Sequence, residues 1–346
     1  MVRRTRIAGC AAASAAALLL AAGPAPSASA TDTPTRSERA RSERAQSEPT
    51  RSALARSNPS AVRLDAFWSA ARMAQALPGG PGSGPAADAA PRVLAPAEDG
   101  PRPGETIPPS HSFDGIPQAG TFFWTDATGS GRTCSGSVVL APGRDLALSA
   151  GHCLKGYSGT APRRNLAFVP QYHDGLKPFG VFPVRGNGVY VPQRYYDLGE
   201  HAGAAYDVAF AVTDPNQDGI RLQDAVGGVR LLTGSGYDHD PVRMIGYPAG
   251  AAKPLECTSR TTRWDGDDPA DPGTFSRIAC DAFVGGTSGG PMLVPWPGGW
   301  AVVGVIGGYH TGGNTPKVSY SAPFGAAVQS LYRAAATDAP PAGPAA

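Results

Sequence analysis

The 346-residue chain has almost no excess of charge, with 30 Lys and Arg against 28 Asp and Glu and a formal net charge of +2. A polyanionic partner therefore has little to attract it. No basic stripe with interleaved aromatic residues occurs, so nucleic acid is not expected as a partner. Internal repeats are absent, which sets aside a structural array. The cysteines and histidines never fall at the spacing of a zinc site. Long apolar runs are missing too, apart from Ile7 to Ala22. That run is alanine-rich, follows Arg3, Arg4 and Arg6, and leads into Ala28-Ser29-Ala30, which is the layout of a secretory signal and not of a retained membrane helix. The box Ile7-Ala8-Gly9-Cys10 precedes the apolar run instead of closing it, so no lipid anchor is expected. Residues 1–30 are read as a signal peptide and the protein as secreted and extracellular, with no membrane anchor.

Removing that segment removes Cys10 and leaves Cys134, Cys153, Cys257 and Cys280. Four cysteines in an oxidising compartment suggest two disulfides with three possible pairings, of which nearest-neighbour pairing gives Cys134 with Cys153 and Cys257 with Cys280.

Residues 31–57 are charged and small, with too little apolar surface to bury. From Ser60 to Leu77 the residues Leu64, Phe67, Trp68 and Ala71 recur at three and four, which predicts one amphipathic helix stopped by Pro78-Gly79-Gly80. A Pro/Gly/Ala linker follows to about residue 110. Together 31–110 read as a pro-region: a polar arm, a helix able to dock, and an accessible linker with Arg63, Arg72, Arg92 and Arg102 as processing points. A permanent surface tether is the alternative.

The pattern changes at Gly120. Strands are predicted at Thr121–Trp124, Thr133–Leu140, Leu146–Ser149, Leu166–Pro170, Phe179–Val184, Val189–Pro192 and Tyr206–Val212. More follow at Val229–Leu232, Val242–Pro248, Phe275–Cys280, Pro291–Val294 and Trp300–Ile306. Many short strands separated by Gly and Pro mean an all-β sandwich or barrel. Phe324, Val328, Leu331 and Tyr332 keep helical spacing and predict a closing helix, with a loose tail from Ala334.

Three stretches carry chemistry. In Gly285-Gly286-Thr287-Ser288-Gly289-Gly290-Pro291 a serine stands between glycines, so its hydroxyl is unshielded and amide N–H groups can converge beside it. Ser288 needs a base and an acid to orient that base. Leu148-Ser149-Ala150-Gly151-His152-Cys153 and Tyr206-Asp207-Val208-Ala209-Phe210 offer both. An acid entering an apolar stretch is costly to bury unless hydrogen-bonded, and the His152 Nδ1–H is its natural partner.

The chain order His152, Asp207, Ser288 resembles the chymotrypsin-like serine peptidases, and within them the bacterial secreted branch that includes the glutamyl endopeptidases, over about residues 113–332. The resemblance implies two six-stranded antiparallel β-barrels with the site at their cleft, the first at about 113–215 and the second at about 216–320, and a short C-terminal helix. The peptidase domain would span 111–333, with a flexible tail at 334–346. It implies His152, Asp207 and Ser288 as catalytic triad, Gly286 and Ser288 N–H groups as oxyanion hole, and a protein or peptide as substrate. It also supports the Cys134–Cys153 pair. Gly151 departs from the alanine usual in the family. Thr287 stands where zymogen-activated trypsins carry an aspartate, so activation by insertion of a freed terminus is not expected.

For the specificity pocket, Ala282 matches the position that carries an acid in trypsin, and Ile306 the histidine by which glutamyl endopeptidases neutralise a substrate carboxylate. Only a shift of register would bring in His310. With Phe283 and Val305 these residues describe an apolar or shallow pocket and a preference for an uncharged residue before the scissile bond. No cofactor is expected. Asp214, Asn216 and Asp218 have the spacing of a calcium loop that breaks at Ala225, and an Asp/Asn/Gly turn is the preferred reading. Asp265, Asp267, Asp268 and Asp271 read as a solvated acidic loop. A monomer is expected. A non-catalytic binding module on the same fold and a serine esterase are the competing functions.

Overall fold

The structure is a computed structural model that describes residues 58–80 and 100–338. The predicted signal peptide, the polar arm up to residue 57, the linker at 81–99 with Arg92, and the tail from 339 lie outside the described residues. Among the described residues no helix is long and apolar enough to cross a membrane.

Two short strands come first, β1 (Leu77–Pro78) and β2 (His111–Ser112). Six antiparallel strands follow: β3 (Ala119–Thr125), β4 (Gly131–Val138), β5 (Leu146–Ser149), β6 (Arg164–Pro170), β7 (Phe182–Tyr190) and β8 (Ala209–Thr213). They run in the order β4-β3-β6-β7-β8-β5, and the β4–β5 pairing closes them into a barrel. Side chains alternate across a strand, and β3 uses both faces. Phe122 points into the barrel against Phe168, with ring centroids 4.7 Å apart, while Phe123 points outward against Trp68 at 5.4 Å.

The second sheet contains β9 (Arg230–Leu231), β10 (His239–Gly246), β11 (Leu255–Asp265), β12 (Thr274–Ala279), β13 (Pro291–Trp296), β14 (Gly299–Val305) and β15 (Val318–Ser321), in the order β15-β12-β11-β10-β13-β14-β9. The expected second closed barrel is not formed by strand pairing among the described residues. The end of β14 and the chain just after it meet the edge strand β15 through single bonds instead: Val305 N–H donates to Ser321 Oγ at 3.0 Å, and Gly307 N–H to the Tyr320 carbonyl at 2.9 Å. Four residues of β15 and a chain that turns away at Gly308 (φ 77°) leave no length for a ladder.

The single helix predicted from Ser60 is two, α1 (Pro59–Phe67) and α2 (Ala70–Ala74). Ser69 interrupts them because its Oγ accepts the Arg72 N–H at 3.3 Å, capping a new helix. The break turns Trp68 inward. It is fully buried, and its Nε1–H donates to the Asn165 carbonyl at 2.9 Å. Leu64, Met73 and Ala76 join it in the core that also holds Phe123 and Tyr172. After α2, β1 pairs in parallel with Arg132 and Thr133 of β4.

The linker is also not loose at its far end. Arg277, 2% exposed, holds Glu105 through two bonds of 2.6 and 2.7 Å and the Gly100 carbonyl at 3.2 Å. The helix α5 (Ala326–Ala336) covers the core with Val328, Leu331 and Ala335. The chain expected to be loose from Ala334 remains tied as far as Asp338, whose carboxylate pairs with Arg185 and accepts the Tyr190 hydroxyl, both at 2.8 Å.

Candidate active site

Strand β5 carries the chain to Ala150, which caps a single helical turn, α3 (Gly151–Leu154). His152 and Cys153 in this turn are both buried. A disulfide from Cys153 to Cys134 fixes α3 to β4, with Cα atoms 6.1 Å apart. From the other side Arg163 donates to the carbonyls of His152 (2.9 Å) and Cys153 (3.1 Å), satisfying the end of the turn.

Asp207 lies just before β8, not in a strand as predicted. It follows the helix α4 (Gln193–Ala202), which breaks at Gly199 (φ 80°), and a 3₁₀ turn at Ala204–Tyr206. The carboxylate is buried and fully engaged: Oδ2 is 2.7 Å from His152 Nδ1 and accepts the Gly308 N–H at 2.9 Å, and Oδ1 accepts the His152 N–H at 2.9 Å. Burial pushes this carboxyl up, but the His152 charge and hydrogen bond and the Gly308 and His152 amides outweigh it and hold it below the ordinary carboxylate range. Asp207 thus stays ionised and fixes His152 with its Nδ1 turned inward.

Ser288 sits in a loop whose peptide planes are set from outside. The Gly285 carbonyl accepts the Ala249 N–H at 3.0 Å. The peptide unit is planar and trans, so the Gly286 N–H points the opposite way. Ser135 of β4 bonds the loop twice, its Oγ to the Gly286 carbonyl at 3.0 Å and its N–H to the Ser288 carbonyl at 2.8 Å. The N–H groups of Gly286 and Ser288 meet no acceptor among the described residues. Gly286 has φ 99°, and a Cβ there would stand 2.4 Å from the Ala249 nitrogen, so the residue is glycine for both reasons. Thr287 is buried and its hydroxyl donates to the Val284 carbonyl at 2.7 Å.

His152 and Ser288 line one cavity of about 330 Å³, without a hydrogen bond between them. Bonds of this kind commonly form only once substrate is bound. Of the residues expected to shape the specificity pocket, Phe283 and Ile306 line this cavity, whereas Ala282 and Val305 do not. Val305 is in the core, and Ala282 (φ 69°) turns out at the surface. Sequence reasoning missed Val284, Thr311, Asn314 and Ser319 in the lining, although the Gly312-Gly313 doublet marks the turn that brings several of them in. His310 is absent from the lining: its ring stacks on Tyr309 and its Nε2 is 3.0 Å from Asp268. Gly79, from the segment before the linker, enters the cavity too. Its N–H donates to the Thr133 carbonyl at 2.7 Å, and a Cβ on it would overlap Trp124.

The second disulfide joins Cys257 of β11 to Cys280 at the end of β12, so both nearest-neighbour pairs are formed. In the calcium-like stretch the Asn216 Oδ1 accepts the N–H groups of Asp218 (3.1 Å) and Ile220 (2.9 Å), and Asp214 faces Arg185 at 3.4 Å. Asn216 thus serves a turn and Asp214 an ion pair. The acidic loop is not uniformly solvated, because Asp271 is completely buried.

No family model matches the sequence, and no curated protein does. Solved structures do. The protease Anisep from Arthrobacter nicotinovorans is 27% identical, with a TM-score of 0.56 over 66% of this chain and 99% of its own. A thermostable serine protease from an extremophilic microorganism is 26% identical, with a TM-score of 0.54 over 64% of this chain and 97% of its own. A Glu endopeptidase at 20% identity shares the fold, with a TM-score of 0.50 over 68% of this chain and 98% of its own.

Proposed function

We propose that this chain, which resembles the chymotrypsin-like serine peptidases in fold and sequence, is a secreted serine endopeptidase acting through His152, Asp207 and Ser288. The observation that carries the reading is the fully hydrogen-bonded, buried Asp207 behind His152, the residue that lines the cavity together with Ser288. A buried carboxylate is costly, and this one orients the histidine that lines the same cavity as the serine, which is what general-base activation of Ser288 requires.

In the proposed reaction, Ser288 Oγ attacks the carbonyl carbon of the scissile peptide while His152 Nε2 takes the hydroxyl proton. Charge gathers on the former carbonyl oxygen, where the Gly286 and Ser288 N–H groups are free to donate. His152 then passes its proton to the leaving amine, the C–N bond breaks and an acyl-enzyme remains. Water, deprotonated by His152, attacks the ester and Ser288 recovers its proton. Asp207 keeps one tautomer and offsets the imidazolium charge without taking up a proton itself.

Apart from His152, the described residues that line the cavity include no ionisable side chain. Phe283, Val284 and Ile306 favour an uncharged residue before the scissile bond. The test is incubation of the parent and Ser288→Ala with a fluorophosphonate probe and an unbiased peptide library, read by mass spectrometry. Labelling and cleavage by the parent alone are expected, with uncharged residues preceding the cuts. A parent that cleaves esters but no peptide would make it an esterase, and one that neither labels nor cleaves would make it a binding module.

A further inference from the structure

Asp271 is a fully buried carboxylate outside the triad, and two segments converge on it. Its Oδ1 is 2.8 Å from His201 Nδ1, and its Oδ2 accepts the His310 N–H at 2.8 Å. His201 lies in the last turn of α4, the segment that leads through the 3₁₀ turn into Asp207. His310 opens the turn that carries Thr311, Gly312, Gly313 and Asn314 along the cavity beside Ser288. One carboxylate therefore ties the segment behind the acid to the wall of the cavity.

That wall needs a tie. His310 and Thr311 adopt φ 47° and 56°, a left-handed conformation that non-glycine residues disfavour and that persists only where surroundings impose it. The surroundings are the loop between β11 and β12. Besides the Asp271 bond, Asp268 faces His310 Nε2 at 3.0 Å, and Asp267 accepts the Tyr309 hydroxyl at 2.5 Å. The His310 ring lies flat on Tyr309, centroids 4.0 Å apart, and its Nδ1 is 2.8 Å from Asn314 Nδ2. Asn314, at the other end of the turn, thus reaches the cavity from the same clamp. A buried carboxylate is expensive unless it is hydrogen-bonded, and here both partners belong to segments that flank the site.

We propose that Asp271 is a positioning residue for substrate selection: through His201 and the His310 amide it holds the Thr311–Asn314 wall of the cavity in register with the triad. This rests on the reading of the cavity as the seat of the residue before the scissile bond. Asp271→Asn keeps an oxygen as acceptor for the His310 N–H and puts an amide NH2 in place of the oxygen that faces His201, so it is the variant of choice. His201→Gln cuts the other half of the bridge alone and stands in if Asp271→Asn folds poorly.

The experiment has two arms. In the first, a short-chain alkyl fluorophosphonate, too small to fill the cavity, labels the parent and Asp271→Asn. In the second, calorimetry measures binding of product peptides that differ only in their C-terminal residue to Ser288→Ala and to Ser288→Ala/Asp271→Asn. Labelling within about twofold of the parent is expected, with affinity down tenfold or more for the preferred peptide and the ranking among peptides flattened. Unchanged affinity and ranking overturn the proposal, and so does a loss of labelling as large as the loss of binding, which would make Asp271 a general structural prop. Absence of labelling in the parent itself would speak against the catalytic reading, while the peptide ranking would still decide the role of Asp271.

Discussion

Asp207 grips His152 at two points, its Oδ2 at 2.7 Å from the ring Nδ1 and its Oδ1 at 2.9 Å from the same residue's backbone N–H. Ring and main chain of His152 are thus set by one side chain. Replacing the carboxylate by an amide keeps the volume but lets the imidazole carry its proton on the wrong nitrogen.

For Asp207→Asn, kcat on a cleaved peptide is therefore expected to fall about 10⁴-fold, the order seen for the same change in a serine-protease triad, with KM little altered. Steady-state kinetics decide it. A loss of less than tenfold would mean that His152 does not depend on this acid.

Gly286→Ala should damage the nucleophile loop twice. The methyl would meet Ala249 N and the Tyr247 carbonyl at 2.4 and 2.9 Å, and φ 99° is unfavourable for alanine. Displacing the Gly286 N–H removes a donor of the proposed oxyanion hole, for which a drop of about 10²–10³ in kcat is expected. Retained kcat with a lowered melting temperature alone would remove Gly286 from the oxyanion hole.

Trp68→Ala tests whether the segment before the linker is a removable appendage or a part of the core. Its indole is completely buried and bonds the Asn165 carbonyl. Loss of a packed Trp and of that bond is expected to cost about 3–5 kcal/mol in urea unfolding. A cost under about 1 kcal/mol would show that α1 and α2 dock weakly and that the barrel stands without them.

Glu200 gives a pH dependence of known sign. Burial, the largest influence, pushes its carboxyl above the ordinary range against the opposing pull of His201 and His152, and its Oε2 has no hydrogen-bond partner among the described residues. A raised folded value means that the stabilising contribution is complete below the unfolded value, about 4.3, and is lost as pH rises through the folded one. Glu200→Gln should therefore raise the thermal midpoint relative to the parent at about pH 7.5 and give no gain at about pH 4. A midpoint lowered at pH 7.5 would show that the charged form is held favourably.

Much of the strand content was legible because the first barrel alternates or concentrates its apolar residues. Leu146–Ser149 matches its predicted bounds, and Thr121–Trp124 lies inside β3. The longest strand, β11, was not read from sequence: Leu255–Asp265 carries Thr, Ser, Arg and Asp on a half-exposed ribbon, so its apolar signal is thin. The helix α4 was missed for a related reason, since only Tyr195 of its residues is buried.

Three short stretches, taken with their resemblance to a peptidase family, pointed to His152, Asp207 and Ser288, and the structure sets Asp207 against His152 and lets His152 and Ser288 line one cavity. The cysteine count, and nearest-neighbour pairing, likewise anticipated the two disulfides. What only the tertiary structure decided depends on contacts between segments far apart in sequence. Trp68 reaches its place through Phe123 and Asn165, Gly79 enters the cavity along β4, and Asp271 is buried because His201, 70 residues earlier, and His310, 39 residues later, close over it. A carboxylate in an acidic loop looks solvated in one dimension. Its burial is a property of what folds back onto it.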